Sequence, residues 1–171
     1  MQNPILIGFM GAGKTTVGNA LAKVLDQPFC DLDDAIEEYL GQSIPSYFEE
    51  KGEAAFRQVE KELLAKHLST DNVLATGGGT ACQKANQALL IADQRPVVWL
   101  LASDDTTLQN LSGEDWDKRP ILADKTDEDL AKLKASRKRF YQDTADIIVQ
   151  VDQKNPETIA EEIIDKIQTA E

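Results

Sequence analysis

A glycine-rich loop near the N-terminus is the feature that most constrains the fold of this 171-residue chain. Residues 8 to 15 read Gly-Phe-Met-Gly-Ala-Gly-Lys-Thr and fit the pattern G-x-x-x-x-G-K-[ST]. An apolar run precedes the loop and an amphipathic segment follows it, which is the strand–loop–helix context that the pattern requires. Such a loop points backbone N–H groups at bound phosphate, and the positive end of the following helix adds to the attraction. The sequence therefore predicts an α/β fold with a nucleotide-phosphate site.

Two side chains of this loop have separate predicted roles. The Lys14 ammonium would reach the β- and γ-phosphates, and the Thr15 hydroxyl would bind Mg²⁺. The residues predicted to contact the nucleotide phosphates are Gly11, Ala12, Gly13, Lys14, Thr15 and Thr16. The loop accounts for the phosphate end of a nucleotide, so the acceptor must be sought elsewhere in the chain.

Five short apolar runs that alternate with helical sequence predict a parallel sheet covered by helices on both faces. The predicted strands are 4–9, 29–32, 72–75, 97–101 and 147–151. Among the predicted helices are 15–25, 54–68 and one that begins near Pro156 and repeats isoleucine at spacing four. The length predicts one domain, residues 1–171. Ligands of such sheets bind beyond the carboxyl ends of the strands, so the residues that follow each strand are the functional candidates.

The charge balance restricts the class of partner. Acidic residues outnumber basic ones by 30 to 18, and the formal net charge is −12. A chain this negative repels nucleic acid and anionic membranes, so we expect neither as a partner. Any bound anion must be held by local cations, which makes the few arginines informative. Arg57 and Arg137 lie in helical sequence, where they could be surface residues or could grip a carboxylate with bidentate hydrogen bonds.

Two stretches that follow predicted strands could hold the acceptor. Asp31 and Asp33 alternate at the end of the second strand, where one could serve the Mg²⁺ shell and the other could orient a hydroxyl. They could equally cap the helix that follows, and we expect Asp34 to be that cap. Three glycines at 77–79 follow the third strand. They indicate either a backbone that approaches a ligand closely or a flexible turn.

Other features predict the cellular setting. The N-terminus lacks the charged start and cleavage site of a signal peptide, and the longest apolar runs are too short for a membrane span. Cys30 and Cys82 lack metal-ligand spacing and are expected to be free thiols. We therefore expect a cytoplasmic protein, and a monomer because the chain forms one compact domain.

From end to end, the order and spacing of these motifs resemble the shikimate kinase family. Beyond the glycine-rich loop, the matching elements are Phe29-x-Asp31-x-Asp33 followed by Ile36-Glu37, Phe56-Arg57-x-x-Glu60, Ala75-Thr76-Gly77-Gly78-Gly79, Arg119-Pro120 followed by Leu122, and Arg137-x-x-x-Tyr141 with Ala145-Asp146. The resemblance implies a P-loop NTPase with an adenylate-kinase-like three-layer fold and a parallel five-stranded sheet. It also implies a substrate-binding segment at about 33–60, a lid at about 111–125, and ATP-dependent phosphorylation of the shikimate 3-hydroxyl on the route to aromatic amino acids.

The same resemblance implies roles for individual residues. The residues implied to bind shikimate are Asp33, Arg57, Gly78, Gly79 and Arg137, with the arginines on its carboxylate and Asp33 on its hydroxyls. The residues implied for the phosphates and Mg²⁺ are Lys14, Thr15 and Arg119, with Asp31 on the metal through water. Lys154 and Pro156 would lie beside the adenine. The implied catalytic residues are Asp33, Lys14 and Arg119, with ATP as co-substrate and Mg²⁺ as cofactor.

Two departures and two rival functions accompany this resemblance. The lid is slightly extended and contains Glu114, Asp115, Trp116 and Asp117. Family members often carry an arginine against the adenine shortly before the lid, whereas this chain has Asn110 or Ser112 there and Trp116 in the lid. One rival is another small-metabolite kinase of the same fold, such as a gluconate or nucleoside-monophosphate kinase. The scarcity of arginines disfavours a nucleotide acceptor. Gluconate has a carboxylate, as shikimate does, so it is the harder rival. The second rival is a nucleotide-binding module without catalysis.

Overall fold

The computed structural model describes residues 1–112 and 126–171. Its five strands are β1 Ile5–Ile7, β2 Phe29–Asp31, β3 Val73–Ala75, β4 Val97–Leu101 and β5 Ile147–Gln150. They form one sheet in the order β2-β3-β1-β4-β5, and every neighbouring pair is parallel. The prediction of a parallel five-stranded sheet is therefore confirmed. Each strand lies inside its predicted range, and only β4 fills that range completely.

Helices connect the strands and cover both faces of the sheet. They are α1 Lys14–Leu25, α2 Leu32–Leu40, α3 Ile44–Leu68, α4 Lys84–Ala92, α5 Asp104–Ser112, α6 Asp127–Thr144 and α7 Pro156–Ala170. Within the described ranges, none of these helices combines the length and the apolar character needed to cross a membrane. Apart from the end of α5, the predicted lid, with Trp116 and Arg119, lies outside the described residues.

Helix α3 is longer than predicted, since the sequence indicated only its second half, 54–68. The helix begins at Ile44, after Ser43, whose hydroxyl accepts the Ser46 N–H as an N-cap. Gly52 interrupts it with φ 85° and ψ 173°. This break separates the first part of α3, which follows α2, from the second part, which carries Arg57. A backbone with positive φ favours glycine.

Two apolar cores lie on opposite faces of the sheet, as expected of a three-layer fold. In β1, Ile5 and Ile7 point to the core under α2, α3, α4 and α6, whereas Leu6 points to the core under α1 and α7. The isoleucine stripe of α7 is buried in the second core as predicted: Ile159, Ile163 and Ile167. Because β2, β3 and β1 are neighbours, the segments that follow their carboxyl ends meet at one edge of the sheet.

Candidate active site

A cleft of about 530 Å³ opens at the carboxyl ends of β1, β2 and β3. It brings together most residues predicted for the site: Gly11, Gly13, Lys14, Thr15, Thr16, Asp31, Asp33, Arg57, Gly78, Gly79 and Arg137. These residues come from the glycine-rich loop, the start of α2, the second half of α3, the loop after β3, and α6. A single cleft therefore contains both the predicted phosphate site and the predicted acceptor site.

The glycine-rich loop adopts the backbone that its sequence predicts. The φ angles of Gly8, Gly11 and Gly13 are 149°, 79° and 88°, values that residues other than glycine rarely adopt. The Lys14 ammonium lies within the curve of the loop and donates to the carbonyl oxygens of Gly8 at 2.7 Å and Phe9 at 3.0 Å. A buried cation at this point attracts an anion to the mouth of the loop.

The Thr15 hydroxyl lies against the Asp31 carboxylate. It donates to Asp31 Oδ2 at 2.6 Å. A hydroxyl and a carboxylate side by side are hard oxygen ligands of the kind that Mg²⁺ prefers, so these residues fit the predicted metal.

The other oxygen of Asp31 caps helix α2. Asp31 Oδ1 accepts the backbone N–H groups of Asp33 at 2.9 Å and Asp34 at 3.3 Å. The prediction that Asp34 is the cap is therefore wrong, because β2 ends at Asp31, one residue before its predicted end, and α2 begins directly afterwards at Leu32, so the last residue of β2 takes that role. Asp33 accordingly lies in the first turn of α2 and does not alternate with Asp31 along a strand.

The Asp33 carboxylate is close to the glycine loop that follows β3. A methyl group in place of the Gly77 hydrogen would lie 2.7 Å from Asp33 Oδ1. One at Gly78 would lie 3.2 Å from the backbone nitrogen of Met10 in the glycine-rich loop. A side chain at Gly77 would clash with Asp33, and one at Gly78 would be crowded by Met10, so the loop after β3 adjoins the glycine-rich loop. Close approach of a ligand to 77–79 stays a prediction.

Arg57 and Arg137 form the cationic wall of the cleft. Arg57 is largely buried, Arg137 is buried, and both guanidinium groups reach Gly79. Within the described part of the chain, Arg57 Nε and Arg137 Nη1 are buried donors without a hydrogen-bond partner. Buried donors of this kind are costly unless something accepts from them, so the wall is suited to an anionic ligand.

Glu60 holds Arg57 in place, a role that the sequence analysis did not assign. Its carboxylate is 1% exposed and lies 2.9 Å from Arg57 Nη1. It also accepts from the Thr80 hydroxyl at 2.8 Å and from Asn86 Nδ2 at 3.2 Å. The available signal was a carboxylate three residues after an arginine, on the apolar face of a helix.

Aromatic rings support the rest of this wall. The Arg137 guanidinium lies over the Phe9 ring, 5.7 Å from its centroid. The Tyr141 hydroxyl donates to the Gly78 carbonyl oxygen at 2.5 Å. Burial raises the pKa of Tyr141 far above its usual value, so this hydroxyl stays neutral and keeps donating. Tyr141 thereby holds the backbone of the loop that follows β3.

Several carboxylates also line the cleft. Asp31, Asp33, Asp34 and Glu37 line it. Partial burial raises the pKa of Asp34, and the carboxylates of Asp31 and Glu37 add to the effect. The cleft therefore contains both arginines, which suit an anionic group, and carboxylates, which suit hydroxyl groups or a cation.

The two residues predicted for the adenine lie away from this cleft. Lys154 forms an ion pair with Glu162 at 2.8 Å, and Pro156 is the first residue of α7. Neither lines the cleft. Their contact with adenine therefore stays a prediction.

Comparison with known proteins identifies close relatives. The sequence model of the shikimate kinase family matches residues 10–168. A shikimate kinase from Enterococcus faecalis is 40% identical over 167 residues, which cover 98% of this chain and 99% of the relative. A shikimate kinase from Coxiella burnetii is 38% identical over 166 residues, which cover 96% of this chain and 92% of the relative.

Solved structures agree with these relatives. A shikimate kinase from Acinetobacter baumannii in complex with shikimate superimposes with a TM-score of 0.94 at 34% identity, covering 100% of this chain and 95% of that one. A shikimate kinase from Aquifex aeolicus gives 0.83 at 34% identity, with 98% and 96% covered. A gluconokinase from Sinorhizobium meliloti, with 99% and 97% covered, gives 0.57 at 12% identity, which is a likeness of fold alone.

Proposed function

The chain belongs to the shikimate kinase family and phosphorylates shikimate with ATP, and we propose that the transfer takes place in the cleft at the carboxyl ends of β1, β2 and β3. The observation that carries the proposal is the convergence of Arg57 and Arg137 on Gly79, in the same cleft as Lys14. A pair of arginines beside a phosphate loop suits an acceptor that has a carboxylate as well as a hydroxyl.

Shikimate would bind with its carboxylate between Arg57 and Arg137. Guanidinium groups form paired hydrogen bonds to carboxylates, and the partnerless buried donors of both arginines supply them. The backbones of Gly78 and Gly79 would border the ring. The Asp33 carboxylate would accept from the ring hydroxyls, because it lines the same cleft, beside Gly77.

The nucleotide would bind with its β- and γ-phosphates in the glycine-rich loop, near Lys14. Mg²⁺ would be held by the Thr15 hydroxyl, with Asp31 bound to it through water, and it supplies charge neutralisation on the β- and γ-phosphate oxygens. The Thr15–Asp31 contact of 2.6 Å supports this pairing. Arg119, Lys154 and Pro156 are assigned to the nucleotide by the resemblance alone, with Arg119 at the phosphates and the other two at the adenine.

Transfer to the 3-hydroxyl requires an in-line arrangement of acceptor, phosphorus and leaving oxygen. The new oxygen–phosphorus bond forms as the bond to the β,γ-bridging oxygen breaks, and ADP leaves. Asp33 orients the hydroxyl and takes its proton late in the reaction. Lys14 and Arg119 stabilise the negative charge on the transferred phosphoryl oxygens. A methyl group in place of the Gly78 hydrogen would lie 3.2 Å from the Met10 backbone nitrogen, so the loop after β3 borders the glycine-rich loop, which supports a direct transfer between the two proposed substrate sites.

The remaining assignments concern organisation. We propose a cytoplasmic monomer made of one domain, residues 1–171, with a substrate-binding segment at about 33–60 and a lid at about 111–125. The cleft lining supports this segment, since it includes Asp33, Ile44, Phe48, Arg57 and Glu60. The net charge of −12 supports a small-molecule enzyme without a nucleic-acid or membrane partner.

The function is tested by following ADP release from MgATP with shikimate, gluconate or AMP as acceptor. We expect release with shikimate and a product phosphorylated at the 3-hydroxyl by NMR. Release with gluconate and not with shikimate would favour the rival metabolite kinase. Binding of ATP without acceptor-dependent release would favour a module that has lost catalysis.

A further inference from the structure

One side chain joins helix α5 to the glycine-rich loop. Asn110, in the last turn of α5, donates from Nδ2 to the carbonyl oxygen of Gly11 at 2.7 Å. Asn110 is exposed, but Gly11 is buried, so this bond gives a buried carbonyl its partner. The contact is made with the backbone of the loop.

The neighbours of Asn110 pack on the same glycine. A methyl group in place of the Gly11 hydrogen would lie 3.0 Å from Leu111 Cγ and 3.2 Å from the Thr107 carbonyl oxygen. Thr107, Asn110 and Leu111 are three and four positions apart, and so they share one face of the helix. This face of α5 covers the loop at Gly11.

The bond from Asn110 fixes one peptide group of the loop. The Gly11–Ala12 peptide is planar, so its C=O and N–H point in opposite directions. Its oxygen accepts from Asn110, and its N–H donates to the Phe9 carbonyl oxygen at 3.2 Å. The same Phe9 oxygen accepts from Lys14 Nζ at 3.0 Å. The orientation of this peptide is therefore linked to the position of the lysine.

Helix α5 is itself anchored at its other end. The Ser103 N–H donates to Asp152 Oδ1, in the segment between β5 and α7, at 3.0 Å. Asp104 pairs with Lys134 of α6 at 2.9 Å. Asn110 consequently extends from a helix tied to two neighbouring elements, and it can hold the loop in a defined place.

We propose that Asn110 is a positioning residue for the phosphates of ATP, which acts by holding the Gly11–Ala12 peptide and, through Phe9, Lys14. The proposal rests on the proposed nucleotide site and adds to it a residue outside the loop. If Asn110 acts on the loop backbone, its substitution weakens the binding of every ligand with a polyphosphate chain, whether or not the ligand carries a base. An action on the base affects nucleotides alone.

The test compares Asn110→Ala and Asn110→Asp in the full chain, with Asp105→Ala on the same helix as the matched control. Asp105 is exposed. We expect both Asn110 variants to raise the KM for MgATP and the Kd of magnesium tripolyphosphate by about 3- to 10-fold, the effect of one lost hydrogen bond. The KM for shikimate should stay within about twofold of the wild-type value, and Asp105→Ala should leave all three constants unchanged.

Each alternative outcome is distinct. An unchanged tripolyphosphate Kd beside a raised KM for ATP would overturn the proposal, since Asn110 would then act on the base. A lower unfolding temperature with a proportional loss of kcat and no change in KM would make the residue structural and would also overturn it. Wild-type protein that bound neither ATP nor tripolyphosphate would contradict the proposed function itself, irrespective of Asn110.

Discussion

Arg57 and Arg137 bring their guanidinium groups to a single glycine, although one residue lies on α3 and the other on α6. A methyl group in place of the Gly79 hydrogen would lie 2.8 Å from Arg57 Nη2 and 3.2 Å from Arg137 Nη2. Glu60 holds the first arginine, and the second lies over the Phe9 ring. Two neighbouring cations repel each other in a partly desolvated cleft, and an anion between them removes that cost. This geometry supports the proposal that the pair binds the carboxylate of the substrate.

The arginine pair predicts an unequal effect of two neighbouring substitutions. Arg137 is 8% exposed, whereas the Arg139 side chain is 89% exposed. We expect Arg137→Ala, and likewise Arg57→Ala, to raise the KM for shikimate by roughly 10- to 100-fold, the effect of lost charged hydrogen bonds. Arg139→Ala is the control and should change it by less than about twofold. Steady-state kinetics at saturating MgATP decides this, and equal effects at 137 and 139 would rule out the clamp.

The glycines that follow β3 predict two different kinetic effects of substitution by alanine. At Gly79, the added methyl would displace both guanidinium groups, so we expect a higher KM for shikimate. At Gly77, it would lie 2.7 Å from Asp33 Oδ1 and displace that carboxylate, so we expect a lower kcat. Displacements of this size cost about 10- to 100-fold. Kinetics on both variants, with circular dichroism to confirm folding, tests the contrast, and the same change in both constants would contradict it.

The Asp33 carboxylate is predicted to matter for turnover and not for nucleotide binding. Asp33→Asn keeps the shape of the side chain and removes the proton acceptor, so we expect kcat to fall by about 10²- to 10⁴-fold. The Kd of ATP, measured by calorimetry, should stay near the wild-type value. Asp34→Asn, one position along the same turn, should have a much smaller effect. Near-normal turnover of Asp33→Asn would remove this residue from the chemistry.

The Thr15–Asp31 contact predicts the metal dependence. Chelation of Mg²⁺ should abolish shikimate-dependent ADP release, and added Mg²⁺ should restore it. Thr15→Val removes the hydroxyl at nearly constant volume, so a higher Mg²⁺ concentration should be needed for half-maximal rate. Thr15→Ser retains the hydroxyl and should behave like wild type. The same Mg²⁺ requirement in the valine and serine variants would show that the hydroxyl does not serve the metal.

Arg119 is predicted to act on the transition state. Arg119→Ala should lower kcat by about 10²-fold or more and change the KM for shikimate little, because its charge is needed when the phosphoryl group is transferred. Lys118→Ala, at the adjacent position, serves as the control. Kinetics on both variants checks the prediction. A rise in the KM for shikimate without loss of kcat would assign Arg119 to substrate binding.

Capping and helix length show where sequence reasoning falls short. Whether Asp31 or Asp34 caps α2 depends on the residue at which β2 ends, and three carboxylates within four positions make either assignment plausible. The first half of α3 escaped prediction because Gly52 interrupts the helix, although Ser43 and the proline in the first turn are signals of a helix start. Both errors concern boundaries, where local signals compete.

Local patterns were sufficient for the sheet, the glycine-rich loop and the buried stripe of α7, since apolar periodicity and positive-φ glycines act within one turn or one strand. The ion pair between Arg57 and Glu60 joins residues three positions apart. The hydrogen bonds that Glu60 accepts from Thr80 and Asn86 join residues distant along the chain. Two further contacts join positions distant along the chain: the approach of two arginines to Gly79 and the hydrogen bond from Asn110 to Gly11. They exist because the strand order β2-β3-β1 brings three carboxyl ends together and because α5 and α6 pack beside them, which is a matter of tertiary packing.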